Sequence, residues 1–156
     1  MTGSIVCGVD GSPDAVAALR VGAQLAEQLD ARLVVAHVTR PPQPVSVTPL
    51  GGMPQALATH VDAQLRLGER VLEQTLVDPG LDGAELADVE RRVLYGIPAD
   101  RLADLADEEE AMLIVVGSRG RGAFRAAFLG SVSSELIGVA RCPVLVVPPG
   151  AVEALI

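Results

Sequence analysis

The sequence predicts an α/β fold, a layer sandwich built on a mostly parallel sheet of five strands with four helices. Short apolar runs at Ile5 to Val9, Leu33 to Val38, Asp88 to Tyr95, Met112 to Val116 and Val144 to Val147 alternate with longer segments of helical period. All but the Asp88 to Tyr95 run are nearly continuous in Val, Ile and Leu, the composition of strands covered on both faces. The chain has 156 residues, the size of a single domain, and residues 1–156 are read as one unit. Hydrophobic residues make up 49% of it, enough for a packed core, while aromatics make up 2%, so that core is built from Val, Leu, Ile and Ala.

Between the first two runs, Ser12 caps a helix that starts at Pro13, where a missing backbone N–H does no harm. Val16, Leu19, Ala23 and Ala26 fall on its inner face. Arg40 to Pro54 holds five of the eleven prolines and the adjacent Gly51 and Gly52, a loop expected near the mouth of a ligand site. A second helix is expected from Gln55 to Leu76, with Leu57, Val61, Leu65, Leu72 and Leu76 at spacings of four and seven. A third, from Pro98 to Glu109, carries Leu102 and Leu105 inward and runs into Asp107 to Glu110, read as a solvated helix end rather than a metal site. The fourth begins at Ser131 and ends near Ala140.

Formal net charge is −8, and all twelve cations are arginines. A field of that sign repels nucleic acid and anionic membrane, but a local cluster of Arg119, Arg121 and Arg125 can still receive a small anion. Cys7 and Cys142 lack a CxxC spacing and nearby histidines, which reads as two buried thiols in a reducing compartment. The start has no basic leader, and nowhere do eighteen apolar residues run together, so a soluble cytoplasmic protein is expected.

The stretch VVGSRGRGAFRAAFLGSVSSE, Val115 to Glu135, gathers Gly117, Gly120, Gly122 and Gly130 between a strand and a helix. In open parallel sheets, ligands bind beyond the carboxyl ends of the strands. Glycine lets backbone N–H groups approach phosphate oxygens and take up the positive φ of anion nests, and a helix starting at Ser131 adds unpaired N–H groups. Ser131 and Ser133 bring hydroxyls to the same place. The plainer alternative is a set of turn glycines with Ser131 as a cap. A Walker A loop is excluded by the absence of lysine, and Gly117, Gly120 and Gly122 read GxxGxG rather than the dinucleotide GxGxxG.

Gly117, two residues, Gly120, nine residues, then Gly130 and Ser131 resembles the nucleotide motif of the universal stress protein family, in its ATP-binding branch. IVCGVDGSPDA resembles that family's first strand and loop, AMLIVVGSRGRG its fourth, and VARCPVLVVPP its closing strand. The resemblance covers nearly the whole chain. It implies a Rossmann-like sheet ordered 3-2-1-4-5 with helices on both faces, and a crevice with Asp10 on one side and Gly117 on the other. It also implies that Asp10 contacts the ribose or phosphate side and that Val38 packs on adenine; by the chemistry of phosphoryl transfer, Asp10 with Mg²⁺ is the one candidate catalytic group, which is not enough for turnover. Gly117, Arg119, Gly120, Gly130, Ser131 and Ser133 match phosphate and ribose contacts, Val132 lends a backbone N–H, and Val9, Val116 and Ser118 adjoin them. For Asp10 the plain reading is a turn former, and for Val38 a core valine.

His37 and His60 are the only histidines, and neither is read as catalytic; His37 falls on the opposite strand face from Val38. With no assigned base, the expectation is an ATP-binding regulatory stress-response protein that hydrolyses slowly if at all. The alternatives are a slow ATPase or self-phosphorylating phosphotransferase, and a nucleotide-free scaffold of the same fold. An adenylate-forming enzyme is disfavoured, since no HxGH or SGGxDS-like sequence occurs. A homodimer through Val144 to Val147 is expected, because the resemblance places that apolar strand at a sheet edge.

Overall fold

The computed structural model describes residues 3–41, 53–77, 81, 86, 88–120 and 129–151, with side chains of the second helix from Leu57 onward. Its elements are β1 (Ser4–Gly8), α1 (Pro13–Gln28), β2 (Arg32–Thr39), α2 (Met53–Leu76), β3 (Glu90–Tyr95), α3 (Pro98–Glu108), β4 (Ala111–Gly117), α4 (Ser131–Val139) and β5 (Val144–Val147). All strand pairs are parallel and the sheet runs β3-β2-β1-β4-β5, the order the resemblance implies.

The sheet separates two apolar layers. Ile5, Cys7, Leu33, Val35 and Val115 face α1 and α2, while Val6, Val34, Ile114 and Val116 face α3 and α4. With β1 at the centre, Cys7 is flanked in register by Val35 and Val115. Small residues bring α1 close: Ala15, Ala18, Leu19 and Ala23 are buried, with Val16 half-buried at the margin. The helix starts as expected, Ala15 N–H donating to Ser12 Oγ at 3.2 Å with Pro13 in its first turn.

Helix α2 departs from its expected face. Leu72 and Leu76 are buried, Val61 and Leu65 are half-buried, and Leu57 is exposed. The reason is length. A helix of 24 residues spans about 36 Å, whereas β2, with 8, spans roughly 26 Å. At Gly68 the helix packs closely on the sheet, where a Cβ would lie 2.6 Å from Val93 Cγ1 and 2.9 Å from Cγ2 of Thr39, the last residue of β2, so earlier turns extend past the end of that strand.

The acidic end of α3 is also more than a solvated terminus. Glu109 meets Arg32 at 3.1 Å and Arg92 at 3.7 Å, Glu108 meets Arg92 at 3.6 Å, and Asp107 meets Arg141 at 2.9 Å. Arginines from β2, β3 and the turn before β5 offset the unfavourable helix dipole, each exposed pair contributing about 1 kcal/mol or less. Strand β3 begins at Glu90 rather than Asp88, because Val89 N–H turns back to the Leu86 carbonyl. Most of the proline-rich loop, with Arg121, Gly122 and Arg125, lies outside the described residues.

Cys7 is fully enclosed; Cys142, expected to be buried as well, is half-buried because it sits in the turn after α4 rather than in a strand. Burial pushes the Cys7 thiol up from 9.0 to about 12, while burial and then the Asp107 charge raise that of Cys142. From about pH 9 to about 12 the unfolded chain releases the Cys7 proton and the folded chain keeps it. Stability should therefore fall across that window by up to about 1.4 kcal/mol per pH unit, and Cys7→Ala should flatten the slope in denaturant titrations. A thiol-specific disulfide reagent should titrate Cys142 alone in the native protein and both cysteines in denaturant.

Candidate functional site

The sheet order reverses between β1 and β4, so β1 hands the chain to α1 on one face and β4 leads to α4 on the other. The divergence leaves a crevice at their carboxyl ends. A cavity of about 640 Å³ occupies it, within the roughly 300–1,000 Å³ usual for small-molecule sites.

Its first wall is the exit of β1. Val9 N–H extends the ladder to the Ala36 carbonyl at 2.9 Å, and Asp10 then accepts the Ser12 N–H on Oδ1 at 2.9 Å. That is the turn-forming role, made feasible by Gly11 at φ 81°. The other carboxylate oxygen crosses the crevice: a Cβ on Gly120 would lie 2.5 Å from Asp10 Oδ2. One side chain thus shapes its own turn and closes on the opposite loop.

The opposite wall is the exit of β4. Gly117, Gly120 and Gly130 are needed there for close approach and not for a left-handed backbone, which among the described glycines belongs to Gly11 and Gly96. A Cβ at Gly117 would meet the Asp14 backbone at 2.7 to 2.8 Å; one at Gly130 would lie 3.2 Å from Arg119 Cα. Several polar groups of this loop are occupied by the loop itself. Ser118 N–H donates to the Val147 carbonyl at 2.9 Å, and Gly130 N–H to the Ser118 carbonyl at 2.7 Å. Ser133 Oγ–H faces the carbonyls of Gly130 at 3.0 Å and Ser118 at 3.3 Å. The first turn of α4 follows Gly130 with no side-chain cap, so the N–H groups of Ser131, Val132 and Ser133 have no partner within the helix, and all three residues line the cavity.

A third, apolar side is formed by Val38, Val116, Pro98, Leu102 and Val132, on the α3 and α4 side of the sheet. His37 lines the cavity from the other face, its Nδ1–H donating to the Val9 carbonyl at 2.7 Å. His60 lies on α2 away from the cavity, its buried Nε2 without a partner among the described residues.

The structure therefore brings Val9, Asp10, Val38, Val116, Gly117, Arg119, Gly120, Gly130, Ser131, Val132 and Ser133 around one cavity. Ser118 stands behind the wall, its hydroxyl donating to Asp14 Oδ2 at 2.8 Å. Sequence reasoning missed Asp14, and Leu102 and Pro98 as cavity-lining residues, whereas Arg40, the first residue of the loop expected near the mouth, lines the cavity. Of these, Asp14 carried a faint signal, a carboxylate one residue past Pro13 in a turn otherwise made of alanines and valine. No group of three or more His, Cys, Asp or Glu suited to a metal ion occurs among the described residues, and none of their helices is long and apolar enough to cross a membrane.

Fold and crevice together define an open parallel α/β protein with its candidate site at the switch point of the sheet. The sequence profile of the universal stress protein family matches residues 1–148, and the chain belongs to that family. It is 33% identical to a universal stress protein of Thermus aquaticus over 144 residues, covering 92% of this chain and 97% of the other. Universal stress protein YxiE of Bacillus subtilis is 30% identical over 152 residues, covering 94% and 99%. Among solved structures, UspA of Lactobacillus plantarum superposes with a TM-score of 0.71 at 23% identity, covering 93% of this chain and 97% of that one, and attests the fold. A universal stress protein solved in complex with cAMP is 27% identical, with a TM-score of 0.56 and coverage of 93% and 96%.

Two glycines distinguish close approach from conformational cost. Gly117→Ala should destabilise the protein by about 1–3 kcal/mol, because the new methyl group collides with α1 backbone. Gly138→Ala, inside α4 with nothing within 4 Å of the added Cβ, should stabilise it by about 0.5–1 kcal/mol. Urea unfolding midpoints of the two variants should move in opposite directions.

Proposed function

We propose that the crevice binds an adenine nucleotide, ATP with Mg²⁺ by preference, and that the protein is a cytoplasmic, nucleotide-responsive stress regulator with slow or no hydrolysis. The observation that carries this reading is the uncapped first turn of α4, whose Ser131, Val132 and Ser133 line the same cavity as Gly120 and Asp10. Three or four charge-assisted bonds of roughly 1.5–3 kcal/mol each support micromolar affinity after ordering costs. The apolar side at Val38, Leu102 and Val116 suits a purine, and the relative solved with cAMP supports an adenine base.

The residues present fit a magnesium nucleotide. Asp10, which lines the cavity, would supply a carboxylate oxygen to the ion while phosphates and water supply the rest. When bound, the ion neutralises phosphate charge that would otherwise meet the Asp10 carboxylate.

Denatured protein should release an adenine nucleotide identifiable by chromatography, and calorimetry of emptied protein should give a micromolar Kd for ATP with Mg²⁺. Gly120→Val and Gly130→Asp, one adding bulk and one a like charge, should each weaken ATP by about a hundredfold or more while the protein still folds. Unchanged affinity in both would reject the site. Multiple-turnover phosphate release abolished by Asp10→Ala would replace the regulator with a slow ATPase.

The half-buried edge strand β5 supports a homodimer through Val144 to Val147. Light scattering at micromolar concentration should give twice the chain mass, and Leu145→Arg should return it to a monomer.

A further inference from the structure

Asp14 occupies the first turn of α1, where the helix dipole welcomes a carboxylate, yet its bonds run elsewhere. Its side chain is only 9% exposed, and a single oxygen, Oδ2, accepts the Ser118 hydroxyl at 2.8 Å, the Arg119 backbone N–H at 3.0 Å and Arg119 Nε–H at 3.4 Å. An independent contact joins the same two segments, since the Asp14 backbone fills the space that a side chain at Gly117 would need. Ser118, held from α1, in turn accepts the Gly130 N–H at 2.7 Å and the Ser133 hydroxyl at 3.3 Å. A continuous series of bonds thus leads from α1 through the β4 exit to the start of α4. Asp14 itself does not line the cavity, so its charge stands behind the wall.

We infer that Asp14 is the positioning residue of the phosphate cup: it fixes the loop after β4 so that Gly120 and the first turn of α4 converge on one anion. The inference rests on the nucleotide reading of the cavity. Three donors on one buried carboxylate oxygen leave it compensated. Removing the carboxylate strands the Ser118 hydroxyl and the Arg119 amide, and the loop loses its tie to α1. The apolar side built from Val38, Leu102 and Val116 has no share in these bonds. Loss of Asp14 therefore acts on phosphate recognition and spares recognition of the nucleoside.

The test compares wild type, Asp14→Ala and Asp14→Asn by calorimetry with adenosine and with ATP plus Mg²⁺, and by amide hydrogen exchange of the ligand-free proteins. Asp14→Ala should weaken ATP about tenfold or more, leave adenosine within about twofold, and speed exchange of the Arg119 and Gly130 amides about tenfold. Asp14→Asn, whose carbonyl oxygen can take the place of Oδ2, should restore both readouts. Equal loss of adenosine and ATP, unchanged ATP affinity in Asp14→Ala, or no restoration by Asp14→Asn would overturn the assignment. Wild-type protein that takes up neither ligand would instead overturn the nucleotide reading, and the exchange rates then decide the tether alone: unchanged Arg119 exchange in Asp14→Ala rejects it. Should Asp14→Ala fail to fold, Ser118→Ala removes one donor and keeps the carboxylate, and must still raise Arg119 exchange.

Discussion

The constraint on which the site depends is the backbone contact between the first turn of α1 and the last residue of β4. Gly117 has no side chain because the Asp14 backbone already stands 2.7 Å from where its Cβ would be. These segments belong to opposite faces of the switch point, one leading into a helix and the other leaving a strand. At the switch point of an open parallel sheet such segments diverge and leave a crevice. Here the base is closed by direct backbone contact, and the cavity can begin only above it. Its position follows from that contact together with the reach of Asp10 toward Gly120.

Closing the base also decides which polar groups are left for a ligand. The amides of Ser118, Arg119 and Gly130 all serve the loop, as do the hydroxyls of Ser118 and Ser133. A loop of backbone and small side chains holds its shape only when such groups are satisfied internally, because unpaired polar groups in a half-buried segment cost about 1–3 kcal/mol each. The outward-facing remainder is the end of α4, whose orphan N–H groups exist by virtue of helix geometry. Rigidity and receptivity are thus divided between two parts of one motif.

How much of this could be read from the sequence depends on the distance between partners. The start of α1 was legible because Ser12, Pro13 and Ala15 interact within one turn, and β5 was legible as four apolar residues after a proline. The acidic end of α3 is solvated at Asp107, Glu108 and Glu110 as expected, but its pairing was not legible, because the arginines that pair with Glu109 come from β2 and β3, Arg32 being 77 residues away. Asp14 was missed for the same reason, since its Ser118 partner is 104 residues distant. The motif glycines were found, but their cause was not: composition suggests conformational freedom, whereas what they supply is room for Asp14, Asp10 and Arg119. Pattern reading locates glycine-rich turns; only packing shows which atom needs the space.

An acidic chain with a net charge of −8 and no lysine can receive an anion only through local fields. Backbone amides at a helix terminus supply one without a titrating group or a long side chain to order, so their effect persists across pH and their entropic penalty is already met by folding. Placing Asp14 behind the wall serves the same end. A carboxylate able to hold the loop would repel phosphate if it faced the cavity, but from behind it reaches the loop through the Arg119 amide and is partly neutralised by the guanidinium of that residue. Arg119 consequently has a structural claim on its charge as well as a place in the cavity lining. For an anion to recruit that guanidinium it must compete with Asp14 at 3.4 Å, a weak enough bond at one nitrogen to leave the rest of the fork available.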